Sequence, residues 1–114
     1  MMRLDTDPAS AGRMGIIRRF PYGPVLGIAP FNFPLNLVAH KVGPAIAGGN
    51  SVVLKPATVT PLSAIKLVKA LMAAGLPDNI LNVVTGHGAE IGEALVTDPR
   101  VRMISFTGGV EAVI

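Results

Sequence analysis

Cysteine is absent from all 114 residues. That excludes disulfides, thiolate zinc sites and a cysteine nucleophile within them. The two histidines, His40 and His87, are too few for a zinc site, so no metal is expected. Tryptophan is missing and aromatics amount to 4%, so the core must be built from Val, Leu, Ile and Ala. Charge is also sparse, at 15% of residues, with ten Lys and Arg against seven Asp and Glu. The net +3 is spread out, with no dense basic run and no aromatic platform, and nucleic-acid binding is not expected. No apolar stretch separates Arg3, Asp5, Asp7, Arg13, Arg18 and Arg19, so the N-terminus does not read as a secretory signal. Phe20 to Leu54 carries one formal charge, Lys41, but Pro21, Pro24, Pro30 and Pro34 would break a membrane-spanning helix there. The cytoplasm is therefore the default location, with no membrane partner.

Half of the residues are hydrophobic, which excludes wholesale disorder, while 13 Gly and 10 Pro mark many turns. The length fits one domain. Met1 to Gly12 is polar and irregular. Gly15 to Phe20 can be a short strand, and Val25 to Ala29 is an apolar run suited to a strand covered on both faces. Leu35 to Val42 can be helical, with Gly43-Pro44 kinking or restarting it and Gly48-Gly49-Asn50 ending it. Ser51 to Lys55 is the next strand. Thr60 is a good N-cap and Pro61 suits the first helical position, with Leu62, Ile65, Val68, Leu71 and Met72 as one apolar stripe and Gly75 as the stop. Ile80 to Val84 is a third strand, Ala89 to Val96 a short helix, and Val101 to Ser105 a fourth strand. Thr107-Gly108-Gly109 opens another helix.

This alternation predicts an α/β fold, a Rossmann-like open parallel sheet with helices on both faces, left incomplete at its last strand. Ligands of such sheets sit at the C-terminal strand ends. Pro30-Phe31-Asn32, Lys55 to Thr58, Gly86 to Gly88 and Phe106 to Gly109 all fall there. Gly86-His87-Gly88-Ala89-Glu90-Ile91-Gly92 is one residue too long for the usual dinucleotide fingerprint, and reads equally as a turn or a phosphate cradle. Phe106-Thr107-Gly108-Gly109 can offer open backbone amides to an anion, or be a tight turn. Lys55 can hold a ribose or phosphate oxygen, or be solvated. Asn32, in a rigid apolar turn, can donate to a developing oxyanion or simply form the turn. His40 reads as a helix-packing residue and His87 as a turn residue. Glu90, Glu93 and Glu111 read as solvated helix charges.

Pro30-Phe31-Asn32-Phe33-Pro34 resembles the proline–aromatic–asparagine–phenylalanine–proline motif of the aldehyde dehydrogenase superfamily. Gly43-Pro44-Ala45 with Gly49-Asn50, Val52 to Pro56, Thr60-Pro61, Ala74 to Pro77, Asn82 to Val84, Gly86 to Gly88 and Phe106 to Gly108 follow in that family's order and spacing. The resemblance implies a partial NAD(P)-binding domain over residues 18–114, after a lead-in over 1–17. It implies oxidation of an aldehyde to a carboxylic acid with NAD or NADP. By the same resemblance Asn32 holds the oxyanion and Lys55 contacts the adenosine ribose. Ile28, Pro30 and Phe31 line the cofactor cleft, and Gly88 packs near the adenine. Phe106, Thr107, Gly108 and Gly109 lie on the pyrophosphate and nicotinamide side. Many NAD-preferring members carry a glutamate where Thr58 stands; its loss removes a charge that repels a 2′-phosphate, so NADP is slightly favoured. The family's cysteine and general-base glutamate lie beyond Ile114, and members are several times longer. The chain is thus expected to be a truncated, inactive part of a homo-oligomeric enzyme acting on a small-molecule aldehyde. The alternative is a free-standing or vestigial nucleotide-binding module without catalysis.

Overall fold

A computed structural model describes residues 2–3 and 7–109. In chain order the elements are β1 (Met2–Arg3), a single 3-10 turn (Pro8–Ser10), β2 (Met14–Gly15), β3 (Val25–Ile28), α1 (Asn36–Ala47), β4 (Val52–Lys55), α2 (Pro61–Ala73), β5 (Leu81–Val83), α3 (Gly88–Val96) and β6 (Met103–Phe106). The main sheet has four parallel strands in the order β5-β4-β3-β6, and β1 pairs antiparallel with β2. The α/β class is as expected from the alternation of short apolar runs with longer periodic ones.

Strand order decides where the helices go. From β3 the chain steps to β4 and then β5 in one direction, so right-handed crossovers put α1 and α2 on one face. The connection from β5 to β6 runs back across the sheet, which puts α3 on the other face. Val52, Leu54 and Leu81 of the sheet pack with Val38 and Val42 of α1 and with Ala64 and Val68 of α2 in one buried cluster. Leu26 is fully buried yet lies outside that cluster, because alternate residues of β3 point to opposite faces.

Several local expectations are corrected. Of the strand anticipated over Gly15 to Phe20 only Gly15 is paired, in β2 with Met14; Ile16, Ile17 and Phe20 are exposed, since no strand among the described residues covers them. The helix α1 runs through Pro44 without restarting. The carbonyl that Pro44 leaves unbonded belongs to His40, and both residues are exposed, so water can satisfy it. His40 therefore does not pack. Thr60 makes no capping hydrogen bond, and its hydroxyl is buried without a partner. Pro61, at the first helical position, has no amide to leave unsatisfied there. Leu62 and Met72 are exposed, whereas Ala64 is fully buried, so the apolar stripe of α2 is rotated toward its small residue. Gly75 ends α2 with φ of 96°, a conformation that favours glycine. The helix expected after Gly109, and Glu111 with it, lie outside the described residues.

Candidate cofactor site

The parallel register aligns three residues from three strands. Ile28 pairs with Lys55 on one side and with Phe106 on the other. Parallel neighbours in register point to the same face, so Lys55, Ile28 and Phe106 form one row at the C-terminal edge, with Ile104 one step behind. That face is the one α3 crosses. Between them lies an open cavity of about 710 Å³, lined among others by Gly88, Ala89, Gly92 and Glu93 of α3. Its volume suits a ligand of cofactor size. It sits where the strand order reverses around β3 and β6, the usual binding position of such sheets.

The cavity walls are mostly apolar, and Lys55 stands out among them. Its side chain is 6% exposed, and its Nζ donates to the Pro56 carbonyl at 3.2 Å. An ammonium has three donors, so two N–H groups have no protein partner among the described residues. A buried cation in that state calls for an anionic or oxygen-rich ligand. On the α3 side, a Cβ placed on Gly88 or Gly92 would meet nothing within 4 Å. Two glycines on one helix face thus leave a flat, open wall.

The turn after β6 closes the same edge. The Thr107 amide donates to the Ile28 carbonyl at 3.1 Å, which carries the β3–β6 pairing one step past the strand. The Phe106 ring folds over Gly108 so closely that a Cβ there would collide with it. The Thr107 hydroxyl accepts a 2.6 Å hydrogen bond from Lys41 Nζ. Lys41 lies on the opposite face, 8% exposed, and burial pushes its pKa down. Its stem runs past Gly27, where a Cβ would come within 3.7 Å of it.

Of the residues expected at a site, the structure gathers Ile28, Lys55, Gly88 and Phe106 around the cavity, with Thr107, Gly108 and Gly109 following at the same edge. Pro30 is half-buried just past β3, while Phe31 and Asn32 are exposed on the bend before α1; none of the three lines the cavity. Thr58 is also outside it; its hydroxyl donates to the Gly86 carbonyl at 3.1 Å and ties the turn after β4 to the turn before α3. Glu93, read from sequence as a solvated charge, is exposed, and it borders the cavity rim. Sequence reasoning missed Lys41. Its signal was a lone charge between Ala39–His40 and Val42 in a long uncharged stretch. Among the described residues no cluster of three or more His, Asp or Glu could hold a metal, and no helix is long and apolar enough to cross a membrane.

The fold and this edge are similar to those of known enzymes. The chain is 58% identical over 105 residues to "Aspartate-semialdehyde dehydrogenase 1" of Pseudomonas canavaninivorans, covering 92% of this chain and 22% of that protein. It superposes with a TM-score of 0.82 and 54% identity on the NADP complex of NADP-dependent glyceraldehyde-3-phosphate dehydrogenase from Bacillus halodurans, covering 83% of this chain and 20% of that one. A mutant of aldehyde dehydrogenase C from Pseudomonas syringae, in complex with NAD+ and octanal, matches with a TM-score of 0.80 and 45% identity over 82% of this chain and 19% of that one. The chain spans about a fifth of the length of these relatives. The aldehyde dehydrogenase family model matches residues 2–113, nearly every residue described above, so the chain belongs to the aldehyde dehydrogenase family.

Proposed function

We propose that residues 18–114 form the cofactor-gripping part of an NAD(P)-dependent aldehyde dehydrogenase, preceded by a lead-in over residues 1–17. The full-length enzyme oxidises an aldehyde to a carboxylic acid. The observation that carries this reading is the buried Lys55 with two spare N–H donors, facing an apolar cavity at the strand-order reversal. The open wall at Gly88 and Gly92 fits a flat base, and Lys55 fits ribose or phosphate oxygens.

When bound, the dinucleotide supplies the hydride acceptor. The residues of this chain bind and orient. Ile28 and Phe106 form the apolar bed, beside Pro30 and Phe31. The amides of Gly108 and Gly109 offer donors to the pyrophosphate, while the Thr107 amide is held by the Ile28 carbonyl. Lys41 fixes the Thr107 hydroxyl from behind the sheet. Asn32, exposed at the edge, can turn its carboxamide N–H toward an oxyanion in the full-length enzyme. These 114 residues contain no cysteine and hence no thiolate nucleophile, so their own share is recognition. Thr58 adds no negative charge beside the ribose position, which favours NADP over NAD. The exposed Ile16, Ile17, Phe20 and Tyr22 give the enzyme apolar surface for self-association, and we place the homo-oligomer in the cytoplasm.

Calorimetric titration of the chain with NADP and NAD tests the reading. Saturable binding of both is expected, with Lys55→Met weakening each at least about tenfold through loss of a charged hydrogen-bond donor. Unchanged affinity in a folded Lys55→Met variant would refute it.

A further inference from the structure

Lys41 is a buried cation that lines no part of the cavity. It sits on α1, across the sheet from α3, and its Nζ makes one hydrogen bond, 2.6 Å to the Thr107 hydroxyl oxygen. Among the described residues it has no carboxylate partner. A charge held away from water and spent on a neutral hydroxyl is a costly arrangement, and its effect falls on Thr107. An ammonium only donates, so the hydroxyl oxygen has to accept. The hydroxyl also carries one hydrogen of its own, which Lys41 cannot take. Among the described residues the Thr107 hydroxyl has no other hydrogen bond. The backbone of Thr107 is fixed as well, since its amide donates to the Ile28 carbonyl at 3.1 Å. With amide and side-chain oxygen both held, the O–H is oriented before any ligand arrives, and the charge behind it makes it a stronger donor.

We infer that Lys41 is a positioning residue: by holding the Thr107 oxygen as an acceptor, it directs the Thr107 O–H to an acceptor oxygen of the bound dinucleotide, on the pyrophosphate or on the nicotinamide carboxamide. This rests on the cofactor-site reading and adds to it a residue that acts from the far face of the sheet. Pre-orientation spares the ligand the cost of ordering that side chain. Without Lys41 the hydroxyl turns freely and can spend its hydrogen on water.

A double-mutant cycle isolates the contact. NAD and ADP-ribose, which lacks the nicotinamide ring, would be titrated by calorimetry into the wild-type chain, Thr107→Val, Thr107→Ser, Lys41→Met and the combined Thr107→Val and Lys41→Met variant. Circular dichroism checks each fold, and Lys41→Gln completes the same cycle if Lys41→Met does not fold. Thr107→Val should weaken NAD binding about five- to tenfold, the scale of one hydrogen bond, and Thr107→Ser, which keeps the hydroxyl, should recover most of that. Lys41→Met should cost about three- to tenfold alone, and less than about twofold more once Thr107→Val is present, because its effect runs through the hydroxyl. A Lys41 that merely packed α1 against the sheet would cost as much in either background. ADP-ribose assigns the acceptor: a Thr107→Val loss retained with it marks a pyrophosphate oxygen, and a loss seen with NAD alone marks the carboxamide. Thr107→Val binding NAD within about twofold of wild type would overturn the inference, and so would a Lys41→Met cost undiminished in Thr107→Val; either result leaves the cofactor site standing. If a folded wild-type chain binds neither ligand, the cofactor-site reading itself falls.

Discussion

Replacing Gly92 by leucine should strengthen the fold and weaken cofactor binding, two effects of opposite sign from one side chain. Gly92 lies in the interior of α3, where a glycine costs about 0.8–1 kcal/mol relative to alanine and leucine costs only a few tenths. No heavy atom lies within 4 Å of a Cβ built there, so the first carbon of the new side chain enters open space. The variant should gain roughly 0.5–1 kcal/mol, a rise in Tm of a few degrees for a domain of this size. The leucine then projects into the cavity beside Ala89 and Glu93, where the base is proposed to lie. A base that buries ~100 Å² of apolar surface on this wall gains about 2.5 kcal/mol, so its displacement should weaken NADP binding roughly fifty- to a hundredfold. Gly92→Ala, one methyl larger than wild type, should match the stabilisation with a smaller loss of affinity. Scanning calorimetry reads the first effect and titration calorimetry the second. Binding within about threefold of wild type would show that no base occupies this face, and a lowered Tm would show that the space above Gly92 is filled.

Three further outcomes are expected. Burial pushes the Lys41 pKa below its ordinary 10.5, so the unfolded chain holds more protons between the two values and stability rises as pH climbs through that window; urea midpoints against pH should show the rise in wild type and a flat profile in Lys41→Met, and parallel profiles would refute the assignment. The Asn50 side chain accepts from the Tyr22 and Gly23 amides at 2.6 and 3.0 Å and donates to the Ala45 carbonyl at 3.1 Å, so Asn50→Ala should cost about 2–3 kcal/mol in urea unfolding, and a loss below about 0.5 kcal/mol would contradict that clasp. Thr58→Glu should shift the NADP-to-NAD affinity ratio toward NAD by about tenfold, the scale of one added charge near a phosphate in a partly dry cleft; an unchanged ratio in paired titrations would sink the charge argument.

Much of the fold was legible before any coordinates. The runs Val25 to Ala29, Ser51 to Lys55, Ile80 to Val84 and Val101 to Ser105 are short, mostly apolar and bounded by turn residues, and each marks one strand of the parallel sheet; β3 and β4 are mostly buried as such sheets require, whereas β6 is largely exposed. Pro61 and Gly75 mark the ends of α2 by backbone restriction and backbone freedom. The motif around Asn32, with those at Lys55 and Gly108, led to the family. Thr60 and Met72 misled because propensity and period describe an isolated helix, whereas a neighbouring sheet selects which face is buried and which hydroxyl is enclosed.

By itself, then, the sequence determined the element types, their order and the strand ends at which a ligand could lie, since these follow from local backbone preference and hydrophobic period. Tertiary structure alone decided the rest. The register of three strands set Lys55, Ile28 and Phe106 in one row. The reversal of strand order carried α3 to the opposite face and with it brought Glu93 to the cavity rim. Packing buried Lys41 beneath the sheet and turned it to Thr107, 66 residues away. Contacts over such separations depend on how elements stack, and no local pattern encodes them.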